Sequence, residues 1–473
     1  MEVSERAGVP AVGIFGRDFL PMAELLAERS GLPLHRLAVY PGMMATDSIA
    51  RLAEVARQAL APQVVRGLTA TAAGDPPAAG VSPAAGVSPA AVPSPAPRPD
   101  EASDPDAHRT VVFRGSLDEV QERFAEQGWS DGLPVIPPTR SRVEAFLHQG
   151  RRRPAEVLGV LAPDHREATV ANVAANGVMA GCRPEYMPIL LAIVECLSDP
   201  AFRIQDAGST PGWEPLVVVS GALVRALHFN AGTGAMRIGR QANSSIGRFV
   251  RLYLRNVAGL RIPPGVTDQA GFGYTFNVAM AEDDEAVHNL GWMPFRVDRG
   301  FTLDDTVVTV QSVVNISAPI YTHGDDPIEH LQVISHYLAR AIAPSVVVPS
   351  LKRGHGFQLL AMSPSIARVF ADHGLGKADI VNYLFERTRT GAGFLEYVGR
   401  QATEFDLHDL VAAGVLPPHY ARSRDPERQV RLLLSPASLG IVVSGNPGRN
   451  QSRAYIGNHA QGVPTSRRVS PPS

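Results

Sequence analysis

The sequence predicts an α/β protein. It has mixed or parallel sheets with flanking helices, arranged as a small N-terminal β-α-β-α piece and a large C-terminal domain. Three observations predict this. Short β-branched runs such as Val307-Val-Thr-Val-Gln-Ser-Val-Val-Asn-Ile316 alternate with longer segments of helical period. A tract of Pro, Ala, Gly and Ser divides the chain after residue 69. Several apolar runs end in glycine turns, the places where open α/β sheets carry their ligands.

Taken in order, Pro10-Ala-Val-Gly-Ile-Phe15 reads as a strand, Phe19 to Ser30 as an amphipathic helix, and His35-Arg-Leu-Ala-Val-Tyr40 as a second strand. Asp47 to Val65 reads as a second helix, capped by Thr46 or Asp47. Two strands are few for an independent core, so residues 1–69 read as a docking piece or as a remnant of a larger α/β domain. Residues 70–108 follow as a disordered linker in which Pro77-Ala-Ala-Gly-Val-Ser repeats as Pro83-Ala-Ala-Gly-Val-Ser. The main domain spans 109–462, and 463–473 reads as a disordered tail.

In the main domain, Leu117 to Gln127 is a helix followed by the punctuated loop Gly128-Trp-Ser-Asp-Gly-Leu-Pro-Val-Ile-Pro-Pro-Thr139. Val170 to Ala180 reads as a small-residue helix, and Arg183-Pro-Glu as the start of another. Leu216 to Ser220 and Ala222 to Phe229 read as strands around Gly221, and a helix is expected from about Ser245 to Val257 with Asn243 or Ser244 as cap. Further strands are expected at Gly271–Glu282, Thr306–Ser317, Ser345–Pro349, Phe357–Ser363 and Leu439–Ser444, and further helices at Pro327–Ile342, Ile366–His373 and Gly376–Arg387.

Composition limits the function classes. The chain has 473 residues and a net charge of −2, which argues against nucleic acid as the main partner. Two cysteines rule out a disulfide framework and suit a cytoplasmic location. No apolar run approaches the length of a membrane span, so no membrane partner is expected. The richness in Ala, Arg, Gly and Pro has the look of a GC-rich bacterial genome.

The densest cluster of chemistry-bearing residues lies between Val170 and Gly259. Cys182 would precede a helix start, where free N–H groups and Arg183 favour the thiolate; the alternative is a small buried cysteine. Cys196 reads as core, roughly 20 Å away at 1.5 Å per helical residue, too far for a disulfide. The loop from His228 to Arg248 carries Asn230, Gly232, Gly234, Arg240, Asn243, Ser244 and Arg248. A glycine loop feeding a helix N-terminus can hold an anion, or it can simply be a well-capped connection. Arg248, Arg251 and Arg255 share one helical face, which reads as a solvated or self-associating stripe, compatible with a homo-oligomer. Asp131 reads as a site carboxylate or as a turn or cap residue, and Asn176, one turn beyond Asn172, reads with it as pointing into the same cleft or as helix–helix bonding. Gly445 ends the last buried strand as a second glycine turn. The acidic run Glu282 to His288 reads as a solvated turn, and no metal set is assigned. The cofactor stays unnamed, since the chain has neither a dinucleotide fingerprint nor a Walker loop.

The segments Gly128–Thr139, Val178-Met-Ala-Gly-Cys-Arg-Pro-Glu-Tyr-Met-Pro188 and Gly239-Arg-Gln-Ala-Asn-Ser-Ser-Ile-Gly-Arg248, with the strand before Gly445, resemble a large bacterial family that accompanies, or is fused to, UGSC-type proteins. Residues 9–69 resemble the part of the UGSC-type domain downstream of its Cys-Gly-Ser-Cys motif, but this chain lacks the motif, since no cysteine precedes Cys182. The resemblance implies no particular reaction. It favours Cys182, Asp131, Asn243 and Arg248 as site residues because they lie in the matching segments.

Three functions compete. The first is an enzyme using the Cys182 thiolate on a small anionic organic molecule, with redox, C–S bond or covalent transfer chemistry, and with Asp131 or His228 moving protons. The second is a hydrolase or lyase in which Asp131 and His228 work without a thiol. The third is a non-catalytic ligand-binding subunit.

Overall fold

The computed structural model describes residues 4–5, 9–29, 31–41, 47, 49–70, 107–204, 212–261, 277–343, 356–403, 406–457 and 463–470. Thr46, nearly all of the linker, the strand expected at 345–349 and the first half of the one expected at 271–282 lie outside them. The chain divides into two compact units, one N-terminal and one comprising the rest. Among the described residues, no helix is long and apolar enough to cross a membrane.

In the N-terminal unit, β1 (Gly13–Gly16) pairs in parallel with β2 (Leu37–Tyr40), and α1 (Leu20–Arg29) connects them. Helix α2 (residues 49–69) runs through Ile49–Val55, a widened π-type turn Ala56–Leu60, and Ala61–Thr69. Ala38, Tyr40, Val55 and Leu60 make its small core, and Gln63 of α2 bonds the Val39 backbone at 2.9 and 3.1 Å.

The large unit opens with α3 (Leu117–Glu126), whose start is set by a capping box between Ser116 and Glu119, then α4 (Arg140–Gly150). The hairpin β3 (Val157–Leu161) and β4 (Arg166–Thr169) leads into α5 (Val170–Met179) and α6 (Met187–Leu197). There follow β5 (Glu214–Ser220), α7 (Gln241–Tyr253), β6 (Met280–Ala281) and α8 (Asp284–Asn289). Next come β7 (Val307–Ile316), β8 (Ile320–Tyr321), α9 (Pro327–Ile342), β9 (Gln358–Met362), α10 (Pro364–Asp372) and α11 (Lys377–Arg387). The chain closes with β10 (Arg389–Gly391), α12 (Ala392–Thr403), α13 (Leu407–Ala412), β11 (Gln429–Arg431), β12 (Leu439–Val443), β13 (Gln451–Gly457) and β14 (Thr465–Arg468).

The main sheet has the order β12-β9-β13-β7-β5-β6, with β14 on β7 and β8 on β13. It is mixed, as expected: β12–β9 and β5–β6 are parallel pairs and the other pairs are antiparallel. The sheet curls on itself, because Asp283 N, just past edge strand β6, donates to Val443 O at the end of the opposite edge strand, 2.9 Å away. Its inner face gathers Leu216, Val218, Met280, Val313, Leu359, Val442 and Tyr455, with at least one residue from each of these six strands. The outer face, with Val308, Val310, Leu360 and Ile441, joins the main core against the helices.

Two expectations are corrected here. Residues 222–229 are not a strand: Leu223–Ala226 is a helical turn. Gly221 adopts φ 128°, and a Cβ there would lie 2.6 Å from Asp305 O, so the chain must turn away at that point. Nor is the tail disordered throughout. β14 pairs with β7, Val469 is buried, and the Thr465 hydroxyl donates to Cys196 O at 2.8 Å.

Candidate functional site

The segment around Cys182 folds as its residues predict, but the chemistry differs. Gly181 (φ 80°) ends α5, and Pro184 opens a 3₁₀ turn that runs into α6. The Cys182 amide, however, donates to Gly177 O at 3.0 Å, and Arg183 turns to Glu185 at 3.4 Å. Cys182 is 9% exposed, and burial pushes its thiol up to about 12, with a hydrogen bond to Ser245 pulling the other way. The expected thiolate is therefore corrected to a buried, protonated thiol. Cys196 is also buried, donates to Val308 O at 3.7 Å and is likewise raised to about 12 by burial. Both cysteines are free.

Asp131 and Arg248 do meet, but as a clamp. Arg248 Nε and Nη2 donate to the two Asp131 carboxylate oxygens at 2.9 Å each, and Nη2 also reaches Leu133 O and Pro134 O at 3.3 and 2.8 Å. Burial alone would raise the Asp131 carboxyl, but the Arg248 hydrogen bonds and charge hold it below the usual carboxylate range. The two groups are committed first to each other and to the loop 128–139. The other arginines of the stripe are also spent internally: Arg251 pairs with Glu214 at 3.0 Å and Arg255 donates to Gly128 O at 2.6 Å. The stripe is therefore half-buried and bonded within the chain rather than a fully solvated surface. Asn176 donates to Asn172 O and accepts from Asn256, which also bonds Trp129 O, so the helix–helix reading of Asn172 and Asn176 holds.

The glycine-rich loop is similarly self-satisfied. His228 is exposed in the left-handed region (φ 58°). Asn230 folds a local turn, accepting from Gly232 N at 3.0 Å and donating to Thr233 O at 3.0 Å. Asn243 is 1% exposed and is no cap: its side chain accepts from Asn230 N and donates to Asn230 O and Ala279 O. The helix starts earlier than expected, at Gln241, with exposed Arg240 in the cap position. The Ser244 hydroxyl accepts from Gly239 N at 3.2 Å, and Gly234 (φ 75°) lets Met236 turn toward the inner cluster. Gln241 also bonds Gly181 O at 3.1 Å, so the first turns of α7 join the thiol segment to the loop.

The second glycine turn borders an opening. Gly445 (φ 119°) donates to Ala231 O at 2.7 Å, bringing the turn after β12 onto the glycine loop. Beside it, outside the carboxyl ends of parallel β9 and β12, is a cavity of 280 Å³ lined by Asp283, Glu285, Asn289, Pro364, Arg368 and Pro447. Arg368 Nη1 donates to Asn289 O at 3.1 Å, and Asp283 caps α8 by accepting from Ala286 N at 3.0 Å.

Next to the cavity lies a charge network that the sequence concealed. Glu282 is fully buried, accepts from the Phe295 amide and the Ser220 hydroxyl, and lies 3.6 Å from Lys377, which pairs with Asp298 at 2.8 Å. Arg296 bonds Asp284 at 2.7 Å and Ser220 at 3.0 Å. Burial raises the Glu282 carboxyl, with Lys377 opposing. This corrects the solvated-turn reading of 282–288. The available signal was the acidic run directly after an apolar strand. A second set, Glu396, Asp406 and His408, has ligand atoms within 4.8 Å of one another and is the one group among the described residues shaped to hold a metal. Glu396 is already paired with Arg428 at 2.5 Å, and Asp406 caps α13.

The fold and openings define a mixed α/β protein with a curled sheet and a cleft at its parallel strand ends. Residues 3–70 match the UGSC family. That match covers the N-terminal unit, and residues beyond it have no family assignment, so the likeness drawn from segments of the main domain gains nothing from it. No curated protein and no solved structure matches the chain.

Proposed function

We propose that the chain is an enzyme for a small anionic organic molecule, working by acid–base chemistry in the crevice beyond β9 and β12 without a cysteine nucleophile. The observation that supports this best is Arg368. It stands in the crevice beside Asp283 and Glu285, donates to one carbonyl, and has no carboxylate partner among the described residues. Its remaining donors suit a substrate carboxylate or phosphate, and the two acids flanking it are placed to exchange a proton with the bound molecule. A thiol raised to about 12 contributes little nucleophile near neutral pH. The two unpaired cysteines fit a cytoplasmic location.

The test is turnover and thermal-shift screening of small carboxylates and phosphate monoesters on the wild-type chain, Arg368→Ala, Asp283→Asn, Glu285→Gln and Cys182→Ser. Cys182→Ser is expected to keep its turnover. Arg368→Ala should raise KM about 10- to 100-fold, as the loss of a charge-assisted pair implies, and one of the acid variants should lower kcat. An unchanged KM in Arg368→Ala, or lost turnover in Cys182→Ser with the fold intact, sinks the reading. Binding without product would make the chain a ligand-binding subunit instead.

A further inference from the structure

A second opening lies away from the crevice residues, where the antiparallel pair β10–β11 meets the turn Pro418–Ala421. It is a cavity of 130 Å³ lined by Arg389, His419, Arg422, Arg428, Gln429 and Arg431. At roughly 30 Å³ per water, it holds about four waters, the size of one tetrahedral oxyanion. Arg389 and Arg431 are directly opposed in the strand register, an arrangement of like charges that destabilises a sheet unless something answers it. Glu386 answers in part, pairing with Arg389 at 3.2 Å and with Arg431 at 2.9 Å. Arg428 is paired with Glu396. Four guanidiniums thus face two carboxylates, and Arg422 has no partner among the described residues. His419 Nε2 is shielded from solvent and, among the described residues, also lacks a hydrogen-bond partner. Arg389 lines an adjoining cavity of 430 Å³ as well, with Ile328, Gln332, His336, Tyr383 and Arg387.

We infer that the arginine-lined cavity binds the phosphate group of a small phosphomonoester whose organic part lies in the adjoining cavity against Tyr383 and Ile328. A carboxylate offers two oxygens, which one guanidinium can satisfy. Arg422, the donors that Arg389 and Arg431 keep beyond Glu386, and the imidazole match the three terminal oxygens of a phosphomonoester, and its charge of about −1.5 to −2 matches the two net positive charges left by four arginines against two carboxylates. The histidine reports occupancy. Partial burial, then Arg431, Arg422 and Arg389, hold its pKa below the usual histidine value, with Glu386 opposing and Arg428 on the remaining wall. A bound dianion reverses that field and raises it.

The inference is independent of the crevice, and its test removes the crevice from the measurement. In the full chain carrying Arg368→Ala, binding of inorganic phosphate and phenyl phosphate is measured by calorimetry at pH 7, and the His419 ring is followed by NMR, assigned through His419→Gln. Phenyl phosphate is expected to bind more tightly than phosphate, Arg422→Ala to weaken both about tenfold or more, and the His419 titration to move upward with ligand. No binding of either ion at millimolar concentration overturns the site, as does unchanged affinity in both Arg422→Ala and His419→Gln. Equal affinities for the two ions overturn the placement of the organic part.

Discussion

If the Asp131–Arg248 pair is a clamp, then breaking it should release the loop 128–139 and cost stability whether or not a ligand is present. The geometry sets the scale. Arg248 makes two 2.9 Å bonds to the carboxylate and two more to Leu133 O and Pro134 O, with side-chain exposures of only 20% and 17% for the two partners. At about 4 Å and an effective dielectric near 20 the bare attraction is about 4 kcal/mol, and desolvation of both ions cancels part of it. Arg248→Ala also orphans two carbonyls, so its cost should be about 3 kcal/mol, and Asp131→Ala about 2 kcal/mol. The double variant should cost little more than Arg248→Ala alone, leaving a coupling energy of about 1.5–2 kcal/mol. Urea unfolding by circular dichroism gives the global values. Trp129, which stacks edge-on with Phe124 at 5.6 Å, reports the loop directly once Trp213 and Trp292 are replaced by Phe. The pH dependence adds a sign. Because the folded Asp131 pKa lies below its unfolded value, the coupling is full above about pH 4 and fades as pH falls through the folded pKa. Additive costs, with coupling under about 0.5 kcal/mol at pH 7, would refute the clamp. Unchanged stability with lost ligand binding would return both residues to the site.

Three further outcomes follow from the packing. Cys182 and Cys196 should both resist alkylation in the native chain at pH 8, where a thiol at about 12 is ionised to about one part in ten thousand, and both should react on unfolding; fast native labelling of Cys182 refutes its burial. Gly247→Ala should destabilise by about 1–3 kcal/mol although alanine is the better helix former, because the new Cβ would lie 2.3 Å from Val278 N and 2.4 Å from Asn277 C; a stabilised variant in urea melts contradicts that overlap. Glu282 has a raised pKa in the fold, so its contribution is intact below the unfolded value and is lost as pH rises toward the folded one. Glu282→Gln should therefore flatten the fall of the urea midpoint above pH 4, and an unchanged pH profile counts against the buried charge.

Local signals carried much of the fold. Helix α9 runs over Pro327–Ile342 as read, since Asp326 accepts from Ile328 N at 2.7 Å and Pro327 sits where a missing N–H costs nothing. The strand Val307–Ile316 was equally legible from its β-branched residues. The misses came from contacts distant in sequence. Asn243 has a cap's chemistry, but its amide is claimed by Asn230 and Ala279, so the helix begins about one turn earlier. Thr465–Arg468 is polar and short, and only pairing with β7 makes it a strand.

The candidate site obeyed the same division. Residue type was visible and partnership was not. Arg248 looked like an anion anchor until its carboxylate appeared 117 positions away, and that one contact converts it from ligand binder to structural clamp. Arg368, Arg389, Arg422 and Arg431 looked ordinary because a surface arginine usually pairs with something nearby. What distinguishes them is a mismatch created by the fold. Strand register sets Arg389 against Arg431, and the β9–α10 junction carries Arg368 to an opening where no carboxylate answers it. Charge that packing has already neutralised has little left to offer a ligand. Where the fold leaves charge uncompensated, as at Arg368 and Arg422, a ligand can supply the missing partner.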